Sequence, residues 1–314
     1  MNKISAAWQE RLLTPPKGWC TDSFQNTQGE KLHYALSLPD GKIRGHVMYV
    51  QGLNEFTEKT YELARDFNRH ALGFSVFDRL GQGRSPRLLD HPYKVHSQGA
   101  EKDINDIITF AESIVPYSRK ITMLGHSTGG LLGLMAYHKR PDLFTPPVLS
   151  APLLGINKPL IRGREFILAA LYLPDKIREC YVPNGTDWRP RGQAGLPPPE
   201  AYSSHPQRMK IQDELTRIHP ELRAGDPTIG WVQDFCRAIV QARSKKWLKQ
   251  VGPVTIFTAG NDQTVNNQPV FKALAAMPKA SHFHFADSKH EMPFETDTIR
   301  KALIDRTVQN ALNP

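Results

Sequence analysis

The amino-acid sequence predicts an α/β fold: a mostly parallel central sheet flanked by helices, interrupted by an inserted, mainly helical segment. Three observations predict it. Short apolar runs of strand length alternate with helix-spaced segments through residues 46–150. The alternation stops between residues 152 and 253, where prolines are frequent and clear buried strands are missing. It then resumes with two further strand-like runs and an amphipathic C-terminal segment.

Residues 46–50 (HVMYV) form a continuous apolar run that reads as a buried strand. Residues 58–70 place Tyr61, Ala64 and Phe67 at helical spacing. Residues 74–77 are a second strand, ending at Asp78. Residues 100–115 predict a helix with Ile104, Ile107, Ile108, Ala111, Ile114 and Val115 on one side, closed by Pro116. A strand at residues 121–124 runs into Gly125; a helix over 131–138 stops near Pro141, and 148–150 is a further strand. Beyond it lie helical stretches at 160–171, 208–218 and 229–249, with three consecutive prolines at 197–199. Structureless loops of such length are uncommon inside a domain, so the stretch reads as an inserted cap. The expected division is residues 1–152 and 253–314 as the core and 153–252 as the cap. Strands at 254–258 and 282–286 and a helix over 296–312 complete the core.

Composition narrows the class. Hydrophobic residues make up 39% and charged residues 23%, as in soluble globular proteins. The longest apolar candidate, residues 166–173, falls far short of the ~20 residues of a membrane-spanning helix. The N-terminus carries no apolar stretch of signal-peptide length. Cys20, Cys180 and Cys236 are odd in number and widely spaced, which suggests neither a disulfide framework nor a zinc site. A cytoplasmic setting is the simplest expectation. Net charge is +9, and residues 158–250, with 16 Lys/Arg against 10 Asp/Glu, carry most of it. A basic surface attracts anionic lipid head groups or nucleic acid. No aromatic-plus-basic RNA motif or zinc-finger spacing supports nucleic acid. Peripheral contact with an anionic membrane surface stays open, beside the plainer reading of a solvated basic surface.

The chemistry centres on Gly125-His126-Ser127-Thr128-Gly129. A strand before a G-x-S-x-G and a helix after it make a nucleophile elbow, a sharp turn whose flanking glycines avoid backbone clashes. A serine hydroxyl needs a base, and in this arrangement the acid and then the histidine follow in sequence. Of twelve histidines, His290 follows the last strand and precedes the final helix. His282 and His284 alternate with Phe283 and Phe285, as one face of a strand; His126 reads as a packed core residue. Asp262 follows the strand at 254–258 and precedes His290 by enough chain for one helix and strand. Asp287 is too close to His290 to reach around it. Backbone N–H groups of Thr128 and Leu53 are the expected oxyanion donors, with Gly52 allowing close approach. The run Asp78-Arg79-Leu80-Gly81-Gln82-Gly83-Arg84-Ser85 is followed by Pro86 where a dinucleotide fingerprint has its third glycine, so it reads as a structural loop. No metal and no organic cofactor is implied.

Together these motifs resemble the bacterial lysophospholipase and monoacylglycerol lipase branch of the α/β-hydrolases, sometimes grouped as serine-aminopeptidase-like hydrolases. The residues that carry the resemblance are Gln51-Gly52-Leu53-Asn54-Glu55-Phe56, the loop from Asp78 to Ser85, the elbow, Ser150-Ala151-Pro152-Leu153-Leu154-Gly155 and His290-Glu291-Met292. In the cap, His219-Pro220-Glu221-Leu222 and Pro227-Thr228-Ile229-Gly230-Trp231 are similar to lysophospholipase-like members. Gln51 stands where many relatives have histidine, and Leu80 where the common Asp-x-Arg-Gly loop has arginine. The resemblance implies an α/β-hydrolase fold, a triad of Ser127, Asp262 and His290, and an oxyanion hole at Leu53 and Thr128.

Three functions follow in order of expectation. The first is a serine ester hydrolase acting on a small acyl ester, with lysophospholipid or monoacylglycerol favoured by the resemblance and short-chain or non-lipid esters open. The second is a serine peptidase with the same triad. The third is a non-catalytic binding protein. The Phe166, Ile167, Leu168, Leu171, Tyr172 and Leu173 cluster reads as an acyl-pocket lining, a membrane-touching face or ordinary cap packing.

Overall fold

The computed structural model describes residues 4–114, 120–193 and 195–313. Eight strands form one sheet: β1 (Trp19–Gln25), β2 (Lys31–Ser37), β3 (Gly45–Val50), β4 (Leu72–Phe77), β5 (Ile121–His126), β6 (Val148–Ser150), β7 (Val254–Ala259) and β8 (Ala280–Phe285). Their spatial order is β1-β2-β4-β3-β5-β6-β7-β8. The β1–β2 and β2–β4 pairs are antiparallel, and every pair from β4–β3 onward is parallel.

Parallel strands need crossovers, and helices supply them on both faces. The helices are α1 (Ala6–Leu13), α2 (Tyr61–Arg69), α3 (Ala100–Ile114), α4 (Thr128–Lys139), α5 (Glu165–Ala170), α6 (Asp175–Arg178), α7 (Ile211–Ile218), α8 (Ile229–Ala242), α9 (Lys245–Leu248), α10 (Asn267–Leu274) and α11 (Asp297–Leu312). On β3, Met48 and Val50 join a cluster with Phe110 of α3, Leu131 of α4, Phe235 of α8 and Val270 of α10. Val47 and Tyr49 point the other way, to Phe67 of α2 and Leu303 of α11. Alternate residues of one strand thus feed opposite cores, which is why the strand reads as an unbroken apolar run.

The parallel strands end at one edge of the sheet. The strand order reverses between β3 and β5, and such a switch point opens a crevice at the strands' C-terminal ends. The loops after β3, β5, β7 and β8 converge there.

Between β6 and β7 the described residues form helices and turns but no named strand. Two expected helices are shorter than the spacing predicts. The stretch at 160–171 becomes α5 alone, because Gly163 takes the left-handed conformation at φ 76° and a right-handed helix cannot continue through it. The stretch at 229–249 breaks after Ala242 and restarts at Lys245, with Ser244 extended between the two. Thr228 caps α8, its hydroxyl accepting from the Trp231 N–H at 3.2 Å. Val115 and Pro116, expected to close α3, lie outside the described residues, as does the side chain of Ile114.

One buried arginine pins this segment to the rest. Arg208 is fully buried and donates to both carboxylate oxygens of Glu62 at 2.7 and 2.9 Å, to Asp297 at 2.7 Å and to the Glu295 carbonyl at 2.8 Å. It joins residues 153–252 to α2 and α11. In contrast, Phe166, Ile167, Leu171 and Tyr172 are exposed, so ordinary packing does not account for them.

Candidate active site

The strand β5 passes into α4 through a single residue, Ser127, at φ 54° and ψ −117°. A side chain in that region costs on the order of 1–3 kcal/mol and persists only when its surroundings enforce it. Here they do: the Ser127 N–H donates to the Ser150 carbonyl at 2.9 Å, and its own carbonyl accepts from Leu153 at 2.9 Å and Gly130 at 3.0 Å. The flanking glycines are sterically required. A Cβ on Gly125 would sit 2.6 Å from the Gly129 carbonyl, and one on Gly129 would run into the Val50 and Gln51 carbonyls. The strain places Ser127 Oγ at the N-terminus of α4, whose dipole favours negative charge.

His290, in the loop after β8, brings Nε2 to 3.0 Å from Ser127 Oγ. Its Nδ1 lies 2.7 Å from Asp262 Oδ2, from the loop after β7. The other oxygen of Asp262 accepts from the Thr264 and Val265 N–H groups at 2.7 and 2.8 Å. This local turn fixes which oxygen faces the histidine. Burial opposes the charge on Asp262, but His290 and those two amides outweigh it and hold the carboxyl below its ordinary range. Burial likewise opposes protonation of His290; the charges of Asp262, Glu291 and Glu55 outweigh it and hold the imidazole above 6.5. The three side chains are all buried.

Opposite them lies the Gly52–Leu53 peptide. A Cβ on Gly52 would stand 3.4 Å from Ser127 Cβ, so this peptide borders the nucleophile. The Gly52 N–H donates to Glu55 Oε2 at 2.6 Å. The Gly52 carbonyl accepts from Arg79 Nη2 and Gln82 Nε2, both at 3.2 Å. Because a trans peptide points its C=O and the next N–H in opposite directions, the clamp on the carbonyl turns the Leu53 N–H away from Arg79. Among the described residues neither the Leu53 nor the Thr128 N–H meets an acceptor.

All five residues expected from the sequence therefore meet at one sheet edge. Glu55, Arg79 and Gln82, which hold the Gly52–Leu53 peptide, were not singled out as its supports. Their signal is positional: they occupy the loops after β3 and β4, which are neighbours in the sheet. His126 is buried, with Nδ1 3.3 Å from Ser150 Oγ and its ring 4.9 Å from that of His290. Burial pushes its pKa down to about 4, so it is a neutral packed residue, as expected. His282 and His284, on one face of β8, share the hydroxyl of Thr258 on the neighbouring β7 and make no hydrogen bond to Ser127 among the described residues. Asp287 makes no contact with the His290 ring among the described hydrogen bonds.

The fold and this Ser-His-Asp constellation define a protein of the α/β-hydrolase class. More narrowly, the chain belongs to the Hydrolase_4 family, described as serine aminopeptidase, S33, whose model matches residues 41–297. It is 29% identical to the probable lysophospholipase L2 of Haemophilus influenzae over 297 residues, covering 93% of this chain and 92% of that one. It is 26% identical to the lysophospholipase L2 of Escherichia coli K12, covering 85% and 77%. Among solved structures, a soluble variant of the monoglyceride lipase of Saccharomyces cerevisiae superposes with a TM-score of 0.70 at 17% identity, over 92% of this chain and 93% of that one. A thermostable carboxyl esterase of Bacillus coagulans superposes with a TM-score of 0.73 at 16% identity, over 94% and 98%. These likenesses establish the shared fold.

Proposed function

We propose that this protein is a serine carboxylic ester hydrolase acting through an acyl-enzyme on lipid-like acyl esters, lysophospholipid or monoacylglycerol. The observation that carries the reading is the continuous relay from Ser127 Oγ to His290 Nε2 and from His290 Nδ1 to Asp262, at 3.0 and 2.7 Å. The names of the relatives supply the substrate class.

In this reading Ser127 Oγ attacks the acyl carbonyl carbon while His290 Nε2 takes its proton. The Leu53 and Thr128 N–H groups stabilise the oxyanion that forms. Collapse breaks the bond to the leaving alcohol, which receives the proton from His290. Water, deprotonated by His290, then attacks the acyl-enzyme, and the carboxylic acid departs as Ser127 regains its proton. Asp262 orients the imidazole and stabilises its protonated form.

A peptidase of the same family would need acidic groups free to hold a substrate's amine. Glu55 and Glu291, the carboxylates besides Asp262 that act on His290, are both engaged by Lys59, which favours an ester over an aminoacyl substrate.

Residues 153–252 act as the cap in this proposal, with Arg208 its fixed root and residues 160–177 its outer face. That outer face exposes Leu160, Phe166, Ile167, Leu171, Tyr172 and Ile177. Exposed Lys158, Arg162, Arg164 and Lys176 are interspersed with them. Apolar side chains among cations suit a lipid surface with anionic head groups. No helix among the described residues is long and apolar enough to cross a membrane, so the contact would be peripheral.

The test is hydrolysis of a lysophospholipid, a monoacylglycerol, p-nitrophenyl esters of several chain lengths and an aminoacyl anilide, with Ser127→Ala as control. Ester cleavage that disappears in Ser127→Ala is expected. Cleavage of the anilide without the esters would overturn the reading.

A further inference from the structure

Beneath the catalytic residues lies a group of buried charges that the hydrolytic steps do not use. Lys59, in the turn of Thr57–Thr60 leading into α2, has a side chain only 1% exposed. Its Nζ lies 3.0 Å from Glu55 Oε1, 3.1 Å from Glu291 Oε1 and 3.2 Å from Gln212 Oε1, and 4.5 Å from the Phe294 ring centre. A buried ammonium is costly unless paired, and this one is paired twice.

Each carboxylate has a second attachment to the site. The other oxygen of Glu55 accepts from the Gly52 N–H at 2.6 Å and from Tyr49 Oη at 3.0 Å. Glu291 directly follows His290, and its N–H donates to the Tyr202 carbonyl at 2.8 Å. Arg191 lies 3.7 Å from Glu291 and is itself held by Asp213 at 3.0 Å. One lysine thus bridges the loop that presents the oxyanion peptide and the loop that presents the catalytic histidine. We infer that Lys59 is a positioning residue for the proposed hydrolase: its ion cluster with Glu55 and Glu291 fixes the Gly52–Leu53 peptide against His290 and balances the charge beside the imidazole.

The electrostatics give this role a signature that simple packing lacks. His290 is surrounded by Asp262 from the loop after β7, Glu55 from the loop after β3, neutral His126 from β5, and Glu291 on its own loop. Lys59 and Arg191 counter Glu291; burial opposes its charge, but those cations outweigh it and bring its pKa down to about 2. Removing Lys59 leaves one negative charge uncompensated near the imidazole. Removing the charge of Glu291 does the reverse. Removing both restores the original balance.

The experiment measures kcat/KM against pH with a soluble ester such as p-nitrophenyl butyrate, for the full chain and its folded variants. Lys59→Met should move the acid limb up by about one pH unit and Glu291→Gln should move it down by a similar amount. The double variant should bring it back toward the wild-type position. Glu55→Gln, which keeps an acceptor for the Gly52 N–H, should also move it down. If Lys59→Met does not fold, Glu291→Gln and Glu55→Gln decide the matter. Acid limbs that coincide with wild type in folded variants would overturn the inference. It rests on His290 being the base, and that failure looks different: the wild type would then show no acid limb, or His290→Ala would retain activity.

Discussion

Arg79 donates to the carbonyl oxygen of Gly52 at 3.2 Å, and so a side chain from the loop after β4 sets the direction of the N–H group proposed to receive the oxyanion. Gln82 shares the task and also donates to the Glu55 carbonyl at 3.1 Å. A peptide clamped on its carbonyl does not reorganise when charge develops, which is the condition for effective oxyanion stabilisation. Gln82→Leu should lower kcat for a p-nitrophenyl ester about 10-fold, against the 10²–10³ typical of losing a donor outright, with KM changed little. Steady-state kinetics check this. A rise in KM with kcat untouched would mean that the loop binds substrate instead.

Asp262→Asn tests the second half of the relay. The amide can still accept from Thr264 and Val265, but it no longer stabilises the imidazolium or fixes its tautomer. The expected loss in kcat is about 10³–10⁴. The pH dependence has a definite sign. His290 must be neutral to take the serine proton, and its pKa lies above 6.5, so activity of the wild type should fall as pH drops through that raised value. Removing the Asp262 charge takes away a cause of the elevation, so the residual acid limb should move toward lower pH. A stopped-flow or steady-state pH profile reads both effects.

The parallel part of the fold was legible because its strands are buried on both faces. Every residue of 46–50 and 121–124 is buried, so no solvent-facing side breaks the run. The antiparallel pair β1 and β2 was not, and the reason is exposure. In β1, Phe24 alone of seven residues is buried, and in β2 the buried Leu32, Ala35 and Ser37 keep no strict alternation. The elbow, the acid and the histidine were legible because the chemistry dictates residue types in a fixed order. Lys59 was not, since a lysine beside Glu58 at the start of the segment expected to be helical over residues 58–70 looks solvated; only the fold brings Glu291 to its other side. The exposed Phe166, Ile167, Leu171 and Tyr172 show the opposite case, where apolar residues that resemble core packing lie at the surface.

The pairing of Arg208 with Glu62 predicts how the proposed cap, residues 153–252, loses its hold on the rest. Arg208→Met leaves a buried carboxylate without its main partner, and breaking such a pair costs about 3–5 kcal/mol. Urea unfolding followed by circular dichroism measures it, and a cost below about 1 kcal/mol would show that Glu62 is satisfied by Arg11 and Arg300 alone. The same pair has a pH signature. Burial opposes the charge of Glu62, but Arg208, Arg300 and Arg11 outweigh it and take its pKa to about 2, below the ordinary 4.5. A depressed carboxyl stabilises the fold above its unfolded pKa, so this contribution is complete above about pH 4.5 and is lost as pH falls toward 2. In Glu62→Gln, stability should therefore depend less on pH across that window than in the wild type.

The exposed face of residues 160–177 yields the last prediction. Phe166 is 73% exposed and Tyr172 92%, so replacing both with serine removes little from the folded interior and should change stability by no more than about 0.5 kcal/mol each. At a lipid surface the balance differs, because burying one large apolar side chain contributes about 1.5–3 kcal/mol. The double substitution should therefore weaken sedimentation with anionic vesicles at least 10-fold and slow hydrolysis of vesicle-borne lysophospholipid, while cleavage of a soluble short-chain ester stays the same. Salt separates the two contributions of the patch. Raising ionic strength shortens the Debye length from about 10 Å at 0.1 M and screens the contribution of Lys158, Arg162, Arg164 and Lys176, but leaves the apolar contribution in place. Wild type should then retain part of its binding where the double variant retains none. Equal partitioning of the two proteins onto anionic vesicles at low salt would assign the patch to something other than a lipid surface.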